Sequence, residues 1–416
     1  MDRPADLAQL NAAVRDAVAT APVSDIHTHL FYPSHGGLLL WGVDELLTYH
    51  YLAAELFTVA PRDLTPERFR VLPRSDRADL VWKHLFLDRP PLSEACRGVV
   101  TTLNALGLDV AGRSLAPIRK WFADQNAETF LPKAFQIAKV DYAVMTNNPF
   151  SLEEAAFWKQ NLGACELLKP ALRVDALLTN WPAAAKAMTA TGYPAGVAAD
   201  AAGLESARKF LADWAGILKP VYLAASLGPD WAYPAGAGTK VLDEAIVPTA
   251  RAFGLPLALM IGARRGVNPA LGEAGDGVGT ADVNALANLC RRHADVKFIA
   301  TVLARGNQHE LCVVARKFAN LHVEGCWWFC NNPSIIEETT RMRLEMLGTA
   351  FTAQHSDARV ADQVIYKWSH TRAVLADVLA RAFGDLFTAG WRPDVEDIRR
   401  AARSLLGGAF EEFCRK

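Results

Sequence analysis

Short apolar, β-branched runs recur along the chain, at 22–30 (PVSDIHTHL), 140–147, 172–178, 220–226, 256–262, 296–301, 321–328 and 348–356. Nearly continuous apolar runs suit parallel strands covered on both faces. Between most of them lie alanine-rich stretches with helical spacing, such as SLEEAAFWKQNLGACELL, LESARKFLADWAGI, ADVNALANLCRRHA and HELCVVARKFA. Alternation of strand and helix implies βαβ units around a parallel sheet, and eight units predict an α/β fold of the (β/α)8 TIM-barrel type. The first run carries neither a GxGxxG nor a GxxxxGK[ST] loop, which argues against a nucleotide-binding Rossmann or P-loop protein.

One spacing is irregular. The first run ends near residue 30 and the second begins near 140, a gap of about 110 residues that no ordinary βα loop fills. It holds helical patterns such as VDELLTYHYLAAELF and RADLVWKHLFL. The expected organisation is one barrel domain over 1–416, with a helical insertion at 36–135. Loops that follow barrel strands sit at the catalytic face, so this insertion is expected to cap the active site. The terminal segment DVEDIRRAARSLLGGAFEEFCRK reads as an amphipathic helix pair that closes the barrel.

Charge narrows the partners. Among 416 residues, 44 basic side chains face 45 acidic ones, a formal net charge of −1. That balance gives no pull towards nucleic acid or an anionic membrane. No apolar run reaches the roughly 18 residues of a membrane helix, and the charged N-terminus lacks the apolar centre of a signal peptide. Cys96, Cys165, Cys290, Cys312, Cys326, Cys330 and Cys414 are an odd, scattered set. They predict reduced thiols and a cytoplasmic location rather than a disulfide framework. Cys326 and Cys330 have no flanking Cys or His pair, so no structural zinc site is expected there.

Candidate chemistry begins at Asp25-Ile-His27-Thr-His29. Alternate strand residues project to one side, so His27 and His29 aim together at the end of the first strand. Two imidazoles on one face are half of a divalent metal site; the plainer alternative is local hydrogen bonding. The last run ends in His355-Ser356-Asp357-Ala358-Arg359. In a closed eight-stranded barrel the first and eighth strands are neighbours, so Asp357 is placed to add a carboxylate. Arg359, two residues on, is suited to gripping a substrate carboxylate. The alternative for Asp357 and Arg359 is an ion pair that closes the barrel.

An HxH on the first strand with an Asp on the eighth resembles the amidohydrolase superfamily, and further segments resemble the uronate (glucuronate) isomerase family within it. These are Leu47-Thr-Tyr-His50-Tyr51, Trp82-Lys-His84-Leu85, Leu172-Arg173-Val-Asp175, Ile299-Ala-Thr301 continuing to Asn307, Gly325-Cys-Trp327-Trp328-Phe329, and Ser356-Asp357-Ala358-Arg359 followed by Tyr366. They run in the family's order from about residue 23 to the C-terminus. The resemblance implies that His27, His29 and Asp357 hold one divalent metal ion, zinc being the expected one and manganese, cobalt or iron also compatible. It further implies that Asp357, His50 and Tyr51 are the catalytic acid–base groups, and that Arg359, Arg173 and Trp327 bind substrate. His50 and Tyr51 could instead anchor the insertion, and Arg173 could be a barrel ion pair. Trp327 and Trp328 are expected to alternate across a strand, with Trp327 facing the mouth and Trp328 in the core. Arg264 and Arg265 could bind an anion or be surface charges.

The chain also departs from the family pattern. Thr146-Asn147-Asn148-Pro149 stands where T-D-D-P is usual, Ser226-Leu227 where a fourth-strand S-D-H is usual, and Met260 where a fifth-strand histidine is usual. Thioether sulfur is a poor ligand for hard cations. A two-metal site is therefore not expected, and the exact sugar stays open. The expected function is metal-dependent aldose–ketose isomerisation of a uronate-type sugar acid, glucuronate- or fructuronate-like. The alternative is another amidohydrolase-type reaction on a carboxylated substrate, namely lactone or amide hydrolysis or decarboxylation. A third reading, a catalytically idle scaffold, sits poorly with retention of two imidazoles beside a carboxylate. The partner is a small molecule, with a homo-oligomer compatible but fixed by no feature of the sequence.

Overall fold

The structure is a computed structural model and describes residues 3–160 and 165–416. The predicted helical stretch 151–168 thus includes four residues, 161–164, that lie outside the described set. Seven parallel strands form one curled sheet in chain order: β1 (Val23–Thr28), β2 (Val140–Asn147), β3 (Leu168–Arg173), β4 (Leu223–Leu227), β5 (Leu257–Ile261), β6 (Phe298–Val302) and β7 (Leu321–Val323). A two-residue antiparallel hairpin, Ala263–Arg264 with Gly277–Val278, follows β5.

Two of the predicted runs come out differently. The run at 172–178 covers only the end of β3; from Asp175 the chain is helical to Thr179. A short apolar run does not by itself distinguish strand from helix. Here the Asp175 carboxylate takes the Arg173 guanidinium and the Ser226 N–H, which turns the chain away from the sheet. The eighth run forms no regular strand. Only the bridge Glu324↔Thr352 is ladder-like. The segment nevertheless lies between the sheet's edges: Thr352 N–H donates to Val323 O, Asp357 N–H to His27 O and His29 N–H to Ala358 O. Side chains take what a ladder would use. Asp25 Oδ1 accepts from Ser356 N (2.9 Å), and Gln354 Oε1 from Cys326 N (2.6 Å).

The sheet's inner face carries Ile26, Val144, Ala171, Tyr222, Ala224, Met260 and Ile299, all buried, with Phe410 and Phe413 of the last helix in the same cluster. The C-terminal pair, Val395–Arg403 and Ala409–Arg415, therefore plugs one end. Between β1 and β2 the chain runs through helices from Val43–Thr48 to Ala127–Ala138. The predicted helix around residue 50 is broken at Tyr49, which is extended (φ −61°, ψ 147°), and restarts as His50–Val59. That break turns His50 towards the end of the sheet opposite Phe410.

Candidate metal centre and substrate cavity

The strand ends opposite the C-terminal plug surround a cavity of about 760 Å³. Its wall draws on the end of β1 (His29, Phe31), of β2 (Thr146, Asn148), of β3 (Arg173), of β4 (Ser226) and on Trp327, Trp328, Asp357 and Arg359. The segment between β1 and β2 adds Glu45, Tyr49, His50, Phe69, Arg70, Arg74 and Arg77.

Strand alternation alone does not place His27. Pairing of β1 with β2 advances three residues from Asp25 to Thr28 while β2 advances two, from Ala143 to Met145. This is a one-residue bulge, a device that re-aims side chains next to functional sites. Before it, Ile26 faces the interior and Asp25 accepts from the Trp368 indole on an outer helix (2.8 Å). After it, His27 and His29 both point inward. Their Nε2 atoms lie 3.5 and 3.2 Å from Asp357 Oδ1.

The tautomers follow from the hydrogen bonds behind the rings. Thr146 donates its single hydroxyl proton to Thr28 O (3.1 Å), so His29 Nδ1–H must be the donor to Thr146 Oγ1 (3.0 Å). Tyr222 donates to Ile26 O (2.7 Å) and stands 3.5 Å from His27 Nδ1 in the same sense. Both Nε2 lone pairs are left facing Asp357. Burial lowers the His29 pKa to about 4, against the pull of Asp357, so His29 is neutral at neutral pH. Burial pushes the Asp357 carboxyl up, and it is held well below its usual range only where the imidazoles donate to it; with both Nε2 atoms unprotonated, that stabilisation falls to a cation. Neither His27 Nε2 nor Asp357 Oδ1 has a hydrogen-bond partner, although both are buried. Three converging electron-pair donors, two of them without a hydrogen-bond partner, suit a cation. The ligating atoms lie within 4.8 Å of one another, so the group could hold a metal ion.

The backbone here is strained. Asp357 has φ +51° and Trp328 φ +45°, a region that costs non-glycine residues about 1–3 kcal/mol and clusters at functional sites. The bond from Asp357 N–H to His27 O and that from His29 N–H to Ala358 O hold this turn in place. Trp328 stands in a one-turn helix, Trp328–Cys330, beyond the end of β7. The expected strand alternation of the two tryptophans therefore does not occur, and both rings line the cavity.

The remaining candidates divide. Arg359 lines the cavity and donates to His29 O (3.1 Å). Arg173 lines it too, but is held bidentately by Asp175 (2.9 and 3.1 Å). His50 lines the wall with its Nε2 buried and unpartnered; burial lowers its pKa to about 4. Tyr51 is half-buried beside it, its hydroxyl buried and also unpartnered and its pKa raised well above the usual value by burial. Arg265 lines the mouth, paired to Asp276 and stacked over the Trp328 ring. His84 pairs with Asp88, and Asn307 is bonded to Ala281 at both backbone atoms; neither lines the cavity. Sequence reasoning missed Thr146 and Tyr222, which orient the two imidazoles, because both sit in runs that read as core strand. It missed Glu154 because nothing in a helical segment signals that one carboxylate faces inward. Lys367, buried with its Nζ on Ser356 O (2.5 Å) and over the Tyr51 ring, lies behind the site.

Fold and site together define an α/β-barrel-like protein with a candidate divalent-cation centre opening on a polar cavity. No protein-family model and no curated protein matches the chain. Among solved structures it is similar to a uronate isomerase from Bacillus halodurans C-125, with 42% identity, a TM-score of 0.96, and coverage of 99% of this chain and 98% of that one. A uronate isomerase from Thermotoga maritima (TM-score 0.76, 16% identity, 97% of each chain) shares the fold. So does a glucuronate isomerase from Caulobacter crescentus (TM-score 0.76, 16% identity, 99% of this chain and 95% of that one). The chain belongs to the uronate isomerase family.

Proposed function

We propose that the protein is a metal-dependent aldose–ketose isomerase acting on a uronate-type sugar acid of the glucuronate/fructuronate kind. The observation that carries the reading is one cavity lined by His29 and Asp357, with His27 buried against Asp357, and by an arginine free to take a carboxylate. Arg70, Arg74, Arg173 and Arg265 of the wall are each paired to a carboxylate, whereas among the described residues Arg77 and Arg359 are not. Arg359 is the one beside His29, and we assign it the substrate carboxylate, with Arg173 and Trp327 completing the binding wall.

One divalent ion, in our reading zinc, would be held by His27 Nε2, His29 Nε2 and Asp357. It would supply Lewis-acid polarisation of the substrate's carbonyl and hydroxyl oxygens. The rest of the chemistry falls to the chain. Isomerisation moves one proton between C2 and C1 and one between the two oxygens, with no net gain or loss. Asp357, held ionised, is the base for the carbon-bound proton and returns it at the neighbouring carbon. His50, neutral at neutral pH, can accept the hydroxyl proton, and Tyr51, which keeps its proton, can donate one. Residues 36–135 act in this reading as a cap on a single barrel domain, supported by the share of the cavity wall they supply. We place the enzyme in the cytoplasm on its scatter of free cysteines; no helix of the described residues is long and apolar enough to cross a membrane.

The test pairs elemental analysis with turnover. The purified protein should carry about one divalent ion per chain, lost in Asp357→Ala. With D-glucuronate it should interconvert aldehyde and ketone by NMR at constant mass. Water added or carbon dioxide released would establish the hydrolase or decarboxylase alternative instead. Full activity without any metal would overturn the assignment of the three donors.

A further inference from the structure

We propose that Glu154 is a specificity-determining residue whose free carboxylate oxygen takes a hydrogen bond from a substrate hydroxyl, so choosing between epimeric sugar acids. The inference rests on the isomerase reading and adds a residue to it. Glu154 stands in the first turn of the helix Leu152–Lys159, where Ser151 caps its N–H. At this position a glutamate ordinarily bends back to the capping residue. Glu154 instead points into the cavity wall, 5% exposed, with Oε1 accepting from Asn148 N (2.9 Å). Asn148 follows Thr146, the residue that orients His29, by two positions, and Glu154 and His29 line the same cavity.

The other oxygen, Oε2, takes no hydrogen bond from the protein's described residues, nor is it among the atoms sealed from solvent. It opens on the cavity. The unpartnered Asn147 amide and Trp158 indole stand near the carboxyl, but among the described residues no free cation is left to neutralise it. The cationic neighbour, Arg173, is committed bidentately to Asp175, which also takes the Ser226 N–H. Burial pushes the Glu154 carboxyl up to about 7, against the donors of Asn147, Asn148 and Trp158 and the charge of Arg173. A residue needed only to staple Asn148 would do so as glutamine, without the cost of a buried carboxylate. A carboxylate oxygen facing a cavity that accepts a polyol is a hydroxyl receptor. A site built to hydrogen-bond a hydroxyl rejects the analogue that lacks it far more strongly than an apolar pocket could.

Glu154→Gln separates the two roles, because it keeps an acceptor for Asn148 N–H while replacing Oε2 by a donor. The probes are D-glucuronate and D-galacturonate, which differ only in configuration at C4. We expect the ratio of their kcat/KM values to shift about tenfold or more in the variant, with metal content and melting temperature unchanged. A ratio within about twofold of the parent's, or an equal fall on both sugars, would overturn the proposal. If the parent turns over neither sugar, the isomerase reading fails on its own. The same ratio is then read from ligand-induced thermal shifts of parent and variant, and no stabilisation of the parent by either sugar would overturn the proposal too.

Discussion

Gly325 opens the Gly-Cys-Trp-Trp-Phe segment and touches no ligand, yet Gly325→Ala should weaken the metal site. Its φ is +57°, and a Cβ built on it would meet His355 Nδ1 at 2.2 Å. His355 is fully buried and its ring centroid lies 5.1 Å from that of His27. The methyl group can be accommodated only if His355 moves, and His27 is in its way. Holding an alanine in the left-handed region costs about 1–2 kcal/mol, and overpacking a well-filled site adds about 1–3 kcal/mol. For a chain of this size that total lowers the melting temperature by roughly 2–6 °C. Displacing a neighbour that sets a ligand's orientation typically costs 10–100-fold in metal affinity. Gly254 is the control: it has φ +63° and open space where the Cβ would go, so Gly254→Ala reports the backbone cost alone. Differential scanning fluorimetry and competition against a chromophoric chelator read both quantities. If Gly325→Ala matched Gly254→Ala to within about 1 °C, the packing argument would be wrong. If stability fell while metal affinity held, the coupling through His355 to His27 would be refuted.

Further expectations concern other parts of the site. Tyr222→Phe removes the hydroxyl that fixes His27 Nδ1 and should cost about tenfold or more in metal affinity by the same competition; unchanged affinity would mean His27 is held by packing alone. Arg359→Lys should raise KM for D-glucuronate about 10–100-fold with a smaller change in kcat, since an ammonium cannot reproduce the planar fork; an unchanged KM would move the carboxylate to Arg77. Burial raises the Asp362 carboxyl to about 7, opposed by its bond from Gly42 N. A raised carboxyl stabilises the fold below its unfolded pKa, and that contribution is lost as pH rises towards 7. The loss amounts to about 4 kcal/mol at roughly three pKa units. Asp362→Asn should therefore flatten the decline in denaturation free energy between about pH 4 and 7; parallel pH profiles for parent and variant would show that Asp362 titrates normally.

The fold class was readable because period and length are local properties of the chain. Apolar runs separated by amphipathic stretches can bury both faces only as strand and helix in alternation, and seven of the eight runs overlap strands of the sheet. The eighth was misjudged because apolar content does not reveal that Asp25 and Gln354 side chains will take the bonds of its ladder. The His27–His29 spacing was legible as a pair for the same local reason.

What the tertiary structure decided is everything that depends on residues far apart in sequence. A bulge in β1 turns His27 inward, and the ring closure brings Asp357 to it across more than three hundred residues. Whether an arginine is a substrate anchor or a structural ion pair depends on its partner: Asp175 takes Arg173, and among the described residues no carboxylate takes Arg359. Glu154 looks like any surface glutamate of a helix until its burial and the commitment of Arg173 are seen. Periodicity fixes which face of an element is apolar, but the protonation and pairing of a polar group depend on what the fold places against it.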